Sequence, residues 1–204
     1  MKLSKAVSCL FACALLLAFL ILGQPLRAGL YGDPGKDIAT GDLNDQDYWW
    51  TKYDIMMLDL ALKQQQPEGR IAFNLASTQK RLDDLTTKYP KHEELKKWKA
   101  HVDDVVSKID PNAPRGTYFK VGMPWEESNF AQLWVNFHYA QTLIAANDYE
   151  QAYSMLTNVM QNYDIMLKPD RMKDYPEDLR KWVTDNKPEA DRMMALCKEK
   201  LHQK

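Results

Sequence analysis

The chain has 204 residues, with 27 basic and 28 acidic side chains and a formal net charge of −1. This balance argues against a nucleic-acid-binding protein, whose surface would be basic. The length suits one domain with a sizeable hydrophobic core once the first residues are set aside. Long segments that mix polar and apolar residues dominate, with glycine and proline clustered between them, which predicts an all-α fold.

The first 28 residues have the pattern of a secretory signal peptide. Lys2 and Lys5 precede an unbroken apolar run, 6–23, and the small residue Ala28 follows shortly after it. This order predicts cleavage after Ala28 and a secreted or periplasmic protein. The alternative is a chain anchored by an uncleaved N-terminal helix, because the apolar run is near the minimum length that spans a bilayer.

Cleavage at this point would change both the cysteine count and the charge. It would leave Cys197 as the single cysteine, and the loss of Lys2, Lys5 and Arg27 would move the charge from −1 to −4. One cysteine excludes a disulfide framework within the chain, so we expect stability to come from an apolar core. Residues 29–43 combine Gly, Pro and Asp with little periodicity and are predicted to form a flexible leader.

The first predicted three-helix unit spans 46–109. Its first helix begins near Asn44, ends near Gln66 and is apolar on nearly all sides, which indicates a central position in a bundle. A Gln-Pro-Glu-Gly turn follows. The second and third helices are predicted at about 70–88 and 92–109, because apolar residues recur there at helical spacing.

Residues 110–125 interrupt the helical pattern and contain three prolines. A connection of this length without secondary structure is uncommon inside a compact domain, and it often has a function or serves as a linker. We interpret this segment as the crossover between two units. Its aromatic residues Tyr118 and Trp125 are therefore candidates for contact with a partner.

The second predicted unit spans 128–186. Its first helix begins near Pro124, a residue type that favours the first turn of a helix. Its second helix begins near Asn147, with an acidic residue in the capping position. A short third helix is predicted at about 177–185, and a separate C-terminal helix is predicted to begin at Asn186 because Pro188 follows.

The two predicted units share sequence features at one offset. The segment "EELKKW" at Glu93–Trp98 matches "EDLRKW" at Glu177–Trp182, 84 residues later, and the same offset pairs Trp50 with Trp134. Charged helix ends also converge on such patterns by chance, but two tryptophan pairs at one offset favour an internal duplication. We therefore predict an all-α, repeat-like fold of antiparallel helical hairpins in one domain, 44–204: two three-helix units plus a C-terminal helix.

One segment resembles the tetratricopeptide repeat. The match falls on the small and large apolar positions of two consecutive helices: Ala140, Leu143, Tyr149, Ala152 and Leu156. The glycine of the repeat's turn is Asn147 here, and the closing proline is absent. The resemblance covers a single unit, about residues 134–166, and implies a helical hairpin.

The sequence carries no recognisable catalytic or metal-binding motif. None of its four histidines stands in a His-Glu-x-x-His pattern, and the single cysteine of a cleaved chain forms no zinc pair. Nucleophile-elbow, phosphate-loop and dinucleotide-binding patterns are also missing. We therefore expect no catalytic residue, no metal and no cofactor, and we predict that the protein is not an enzyme. An enzyme would need a cluster of titratable groups that the linear sequence does not reveal.

Five residues are candidates for contact with a partner or ligand. Trp49 and Trp125 fall outside the apolar stripes and are expected to be exposed. His138 lies one helical turn from Trp134. An imidazole there could contact a ligand or carry a proton, although the simpler interpretation is a histidine at the edge of the apolar core. Tyr118 lies in the crossover. Trp134 is the fifth candidate, as part of the aromatic cleft near His138. It also stands at a stripe position, and the tryptophans at such positions are predicted to be core residues: Trp50, Trp98, Trp134 and Trp182.

Together these features predict an exported, non-catalytic helical repeat-like protein that mediates protein–protein interaction or scaffolding in the cell envelope. A concave face of helical hairpins would bind a segment of a protein or peptide partner. The alternative is a small-ligand carrier with an aromatic cleft near 115–138. We expect no nucleic-acid partner, and we expect contact with a membrane only through an uncleaved signal sequence.

Overall fold

The described part of the chain is helical. A computed structural model describes residues 42–110, 112–113, 125–173 and 175–202, without the side chains of residues 70, 73, 74 and 125–127. These residues include no strand, so the all-α prediction is confirmed for them. Seven helices follow one another in the described residues: α1 Gln46–Lys63, α2 Glu68–Lys88, α3 Glu93–Lys108, α4 Trp125–Ala145, α5 Tyr149–Met166, α6 Pro169–Met172 and α7 Glu177–His202.

The helices pack as hairpins in two three-helix groups. In the first group α1 packs on α2 and α2 packs on α3, whereas in the second α5 packs on both α4 and α7. Contacts between α1 and α4 join the two groups, and α4 also contacts α7. Short turns make successive helices antiparallel, so the predicted hairpin packing is confirmed.

The start of α1 is held by a buried carboxylate. Asp45 has an extended backbone, and its side chain accepts the N–H of Asp47 at 2.9 Å, as an N-cap residue does. Its second oxygen accepts from Lys88 Nζ at 2.6 Å and from the Tyr89 hydroxyl at 2.9 Å, at the end of α2. Burial would raise the pKa of Asp45, but these hydrogen bonds hold it below its ordinary value. One side chain therefore both caps α1 and attaches it to α2.

The predicted boundary near Asn186 is wrong, because α7 runs through it without a break. The side chain of Asn186 donates to the carbonyl oxygen of Trp182 at 2.9 Å instead of capping a new helix. Pro188 removes one backbone donor, but the residues beyond it are buried and favour continuation of the helix: Ala190, Met193 and Cys197. The third helix of the second group and the predicted C-terminal helix are therefore one element.

When the two helical groups are aligned at the offset of 84 residues, they differ in the length of their last helix. It places α3, Glu93–Lys108, on the stretch 177–192 of α7. Helix α3 ends at Lys108, so α7 continues for ten residues, 193–202, beyond the position that corresponds to the end of α3. The second group therefore carries an additional C-terminal extension of about three helical turns.

The core is aromatic where α1, α4 and α7 meet. The side chains there are at most 5 % exposed: Tyr53, Phe130, Trp134, Phe137 and Trp182. Trp50 and Trp98, which were predicted to be core residues, are only half-buried. The outer face of the first group is therefore less covered than the corresponding face of the second.

All the described residues belong to one compact unit of the chain. The predicted signal peptide, nearly all of the leader and most of the crossover lie outside the described residues. None of the described helices is long and apolar enough to cross a membrane.

Candidate functional site

His138 lies at the centre of an aromatic cluster that we define by Trp49, Trp134, Phe137, His138 and Trp182. Its ring stacks on Trp49, with the ring centres 5.1 Å apart and the planes at 15°. Trp134 meets it edge-on at 4.3 Å, and Trp182 lies 6.1 Å away. Helices α1, α4 and α7 each contribute to the cluster, so three of the predicted contact residues, Trp49, Trp134 and His138, do lie together.

The surroundings of His138 fix its protonation state. Its Nδ1 lies 2.9 Å from the Gln141 side-chain oxygen, an acceptor, so Nδ1 carries the hydrogen and Nε2 has a free lone pair. Nε2 is buried and has no hydrogen-bond partner among the described residues. Burial lowers the pKa of His138 to about 4; the Gln141 hydrogen bond opposes this shift, and the charge of Lys52 adds to it. His138 is therefore neutral at neutral pH.

The expectation that Trp49 is exposed is wrong, because its side chain is only 3 % exposed. Helix α1 has α2 on one side and α4 on another, so positions outside its main apolar stripe are also covered. The Nζ of Lys52 lies 5.0 Å from the centre of the Trp49 ring, close enough for a cation–π contact. Trp49 is thus a packing residue between the two helical groups.

The remaining predicted contact residues cannot be placed beside this cluster. Tyr118 lies outside the described residues. Trp125 is the first residue of α4, and its side chain is not among those described. Both stay predictions.

A polar cluster lies next to the aromatic cluster, at the start of α1. The hydroxyl of Tyr48 is 2.6 Å from Asp42 Oδ1 and also contacts Glu94 of α3. Lys52 Nζ forms an ion pair with Asp42 at 2.6 Å. Burial raises the pKa of Tyr48, and both carboxylates raise it further, so the phenol keeps its proton. The cluster fastens the segment before α1 to α3 and contains no activated nucleophile.

The described residues contain no group of three or more His, Cys, Asp or Glu side chains placed to hold a metal ion.

An open groove of about 740 Å³ lies between the C-terminal half of α4 and the C-terminal part of α7. Its apolar lining comes from Ile144, Ala145, Met193, Ala195 and Leu196, and its polar lining from Gln141, Glu189, Arg192 and Glu199. Arg192 holds Glu189 through two hydrogen bonds of 2.7 Å on this rim. The groove has the composition of a docking surface for a helix, an apolar floor with a charged edge.

Sequence reasoning missed this groove. It exists because α7 continues beyond Pro188 and carries its C-terminal extension alongside α4. The periodicity of each helix marks Ile144 and Leu196 as apolar, but no local pattern indicates that they face each other. Only the continuity of α7 could have suggested it.

The segment that resembles the tetratricopeptide repeat forms the hairpin of α4 and α5. Ala140 and Ala152 are fully buried, as small residues are where two helices pack closely. Asn147, which stands at the glycine position of that repeat, has a φ of 62°, a left-handed conformation that glycine and asparagine adopt most readily. The resemblance itself stays a prediction. No family model, no curated protein and no solved structure matches this chain.

Proposed function

We propose that this chain is an exported, non-catalytic helical protein that mediates protein–protein interaction or scaffolding in the cell envelope. The observation that carries the proposal is the groove between α4 and α7, with Ile144, Met193 and Leu196 along its floor. Ala195 is exposed within it, so the backbone of a partner helix can approach α7 closely. An amphipathic helix binds such a groove through apolar side chains one helical turn apart.

A non-catalytic role agrees with the state of the titratable groups. The one histidine in the aromatic cluster is neutral and its free nitrogen is buried. The buried hydroxyl of Tyr48 is held by carboxylates and keeps its proton. Neither group is placed against the groove, so neither can act on a molecule bound there.

The small-ligand carrier receives less support. The described part of its predicted cleft consists of Trp134 and His138. Trp134 packs against the rings of Trp49 and His138, and His138 also packs against the rings of Trp49 and Trp182. These contacts occupy the faces that a ligand would need.

Export rests on the sequence of residues 1–28, which lies outside the described residues. The order of positive, apolar and small-residue regions supports cleavage after Ala28 and a secreted or periplasmic location. An uncleaved N-terminal anchor is the alternative.

Replacement of Ala195 by arginine is expected to abolish partner binding, because a long charged side chain would stand in the apolar part of the groove. The matched control is Ala100→Arg on α3, since both alanines are exposed on helices. In affinity capture from the envelope fraction of the producing cells, wild type and Ala100→Arg should retain the same partner. Ala195→Arg should retain at least about tenfold less, equivalent to about 1.4 kcal/mol. Equal retention by all three proteins would show that the groove is not the contact site.

A further inference from the structure

We propose that the partner bound in the groove between α4 and α7 is a second copy of this chain. The two copies would meet through their α7 helices, antiparallel and related by a two-fold axis. This inference rests on the proposed function, because it names the partner of the same groove. Two-fold symmetric dimers are the commonest assemblies of identical chains, and they require a surface that is complementary to itself.

The charges on the groove side of α7 meet that requirement. Arg192 and Glu199 both line the groove, and they lie at equal distances from the midpoint between Ala195 and Leu196. An antiparallel copy centred on this midpoint brings Arg192 opposite Glu199 of the partner subunit. The two-fold axis generates the same pair a second time. The arrangement therefore places opposite charges together at both ends of the contact.

The pair that Arg192 forms with Glu189 within α7 leaves this contact possible, although Glu189 also lines the groove. Arg192 already holds Glu189 through Nε and one terminal nitrogen. A guanidinium has five N–H donors in a planar fork, so this intrahelical pair is compatible with a second carboxylate across the interface.

The centre of the contact is small and apolar. Ala195 is exposed and Leu196 is half-buried, so two copies of this turn can approach without burying a charge. Leu196 of the partner subunit would enter the groove beside Ile144 and Met193, where apolar surface is available to it. The charged rim would set the direction of the partner helix, and the apolar centre would supply most of the affinity.

Charge reversal tests this geometry. Purified protein expressed from the full-length sequence is expected to sediment as a monomer–dimer equilibrium. Arg192→Glu and Glu199→Arg should each weaken the dimer about tenfold, because each places two like-charged pairs at the interface. The double variant with both substitutions restores opposite charges and should recover wild-type association.

The matched control is Lys198→Glu, an exposed charge reversal on α7 outside the groove lining, which should leave association unchanged. All three substituted positions are exposed on the helix surface, so far-UV circular dichroism is expected to report the wild-type fold for every variant. A wild type that remains monomeric at all concentrations overturns the inference. A double variant that dimerises as weakly as the weaker of the two single variants also overturns the inference.

The outcomes separate this inference from the proposed function. A monomeric wild type whose partner is still lost on Ala195→Arg excludes self-association and leaves the groove as a site for another protein. A partner that binds Ala195→Arg with the same affinity as the wild type excludes the groove as its binding site. The inference and the proposed function are both supported if the wild type is a dimer, Ala195→Arg dissociates it and the captured partner is a second copy of this chain.

Discussion

Replacement of Trp182 by alanine is expected to lower the free energy of unfolding by about 3–5 kcal/mol, because it leaves a large cavity where α7 meets α4. The side chain is 4 % exposed, and its ring lies 5.4 Å from the rings of both Phe130 and Phe137. Edge-to-face pairs of this kind stabilise beyond the area they bury. The surrounding rings lie on α4, which packs on α1 and α5 as well as α7, so they cannot move far enough to fill the space.

The residue 84 positions earlier supplies a matched control for this substitution. Trp98 occupies the position 84 residues earlier, on α3, but it is half-buried and its aromatic contact is with Tyr48. Trp98→Ala should therefore cost less than half as much as Trp182→Ala. Urea unfolding followed by circular dichroism measures both values without relying on tryptophan fluorescence. Equal losses would contradict the unequal burial of the two groups.

The second large effect is a loss of stability in mild acid that depends on His138. Its pKa is lowered from 6.5 to about 4 in the folded protein, with burial as the main cause. Above pH 6.5 the histidine is neutral in both states. Below pH 6.5 the histidine is protonated in the unfolded chain but stays neutral in the folded chain. The free energy of unfolding therefore falls as the pH falls. The loss should reach about 3 kcal/mol near pH 4 and level off about one pH unit below it.

The variant His138→Phe keeps an aromatic ring beside Trp49 but cannot titrate. The free energy of unfolding of the wild type should therefore fall relative to that of the variant as the pH is lowered from 6.5 to 4. This interval is set by the pKa values of His138 in the unfolded and folded chains. Burial also raises the pKa of Asp54, against the opposing charge of Arg81, but this group is present in both proteins and cancels in the difference. A difference that stays constant over this interval would contradict a buried, neutral His138.

The features that sequence reasoning predicted well are local ones. The helical class and the hairpins follow from periodicity and turn residues, which act within a few positions of the chain. The neighbourhood of Trp134 and His138 was predicted because residues four apart on a helix lie side by side. The division at the proline-rich segment follows from a residue type that disfavours the interior of a helix.

The features that were missed depend on distant parts of the chain. Trp49 is buried because α1 is covered by two helices, and helix periodicity describes only one buried face. Helix α7 passes Pro188 because the burial of Met193 and Cys197 outweighs one missing hydrogen bond. The groove joins Ile144 to Leu196, two residues whose proximity follows from packing alone.

Continuity of α7 therefore links the fold to the proposed function. The first helical group ends at Lys108, whereas the second extends to His202 and creates the groove with α4. The extension distinguishes the two groups in both structure and proposed role.

Site-specific photocrosslinking in the producing cells tests the groove most directly, because it reports contact without requiring that the partner be known. A photoreactive residue at position 195 stands inside the groove, and the same residue at position 100 stands on the exposed face of α3. We expect a discrete crosslinked product from position 195 and none from position 100. No product from position 195, or the same product from both positions, would contradict a protein-binding groove between α4 and α7.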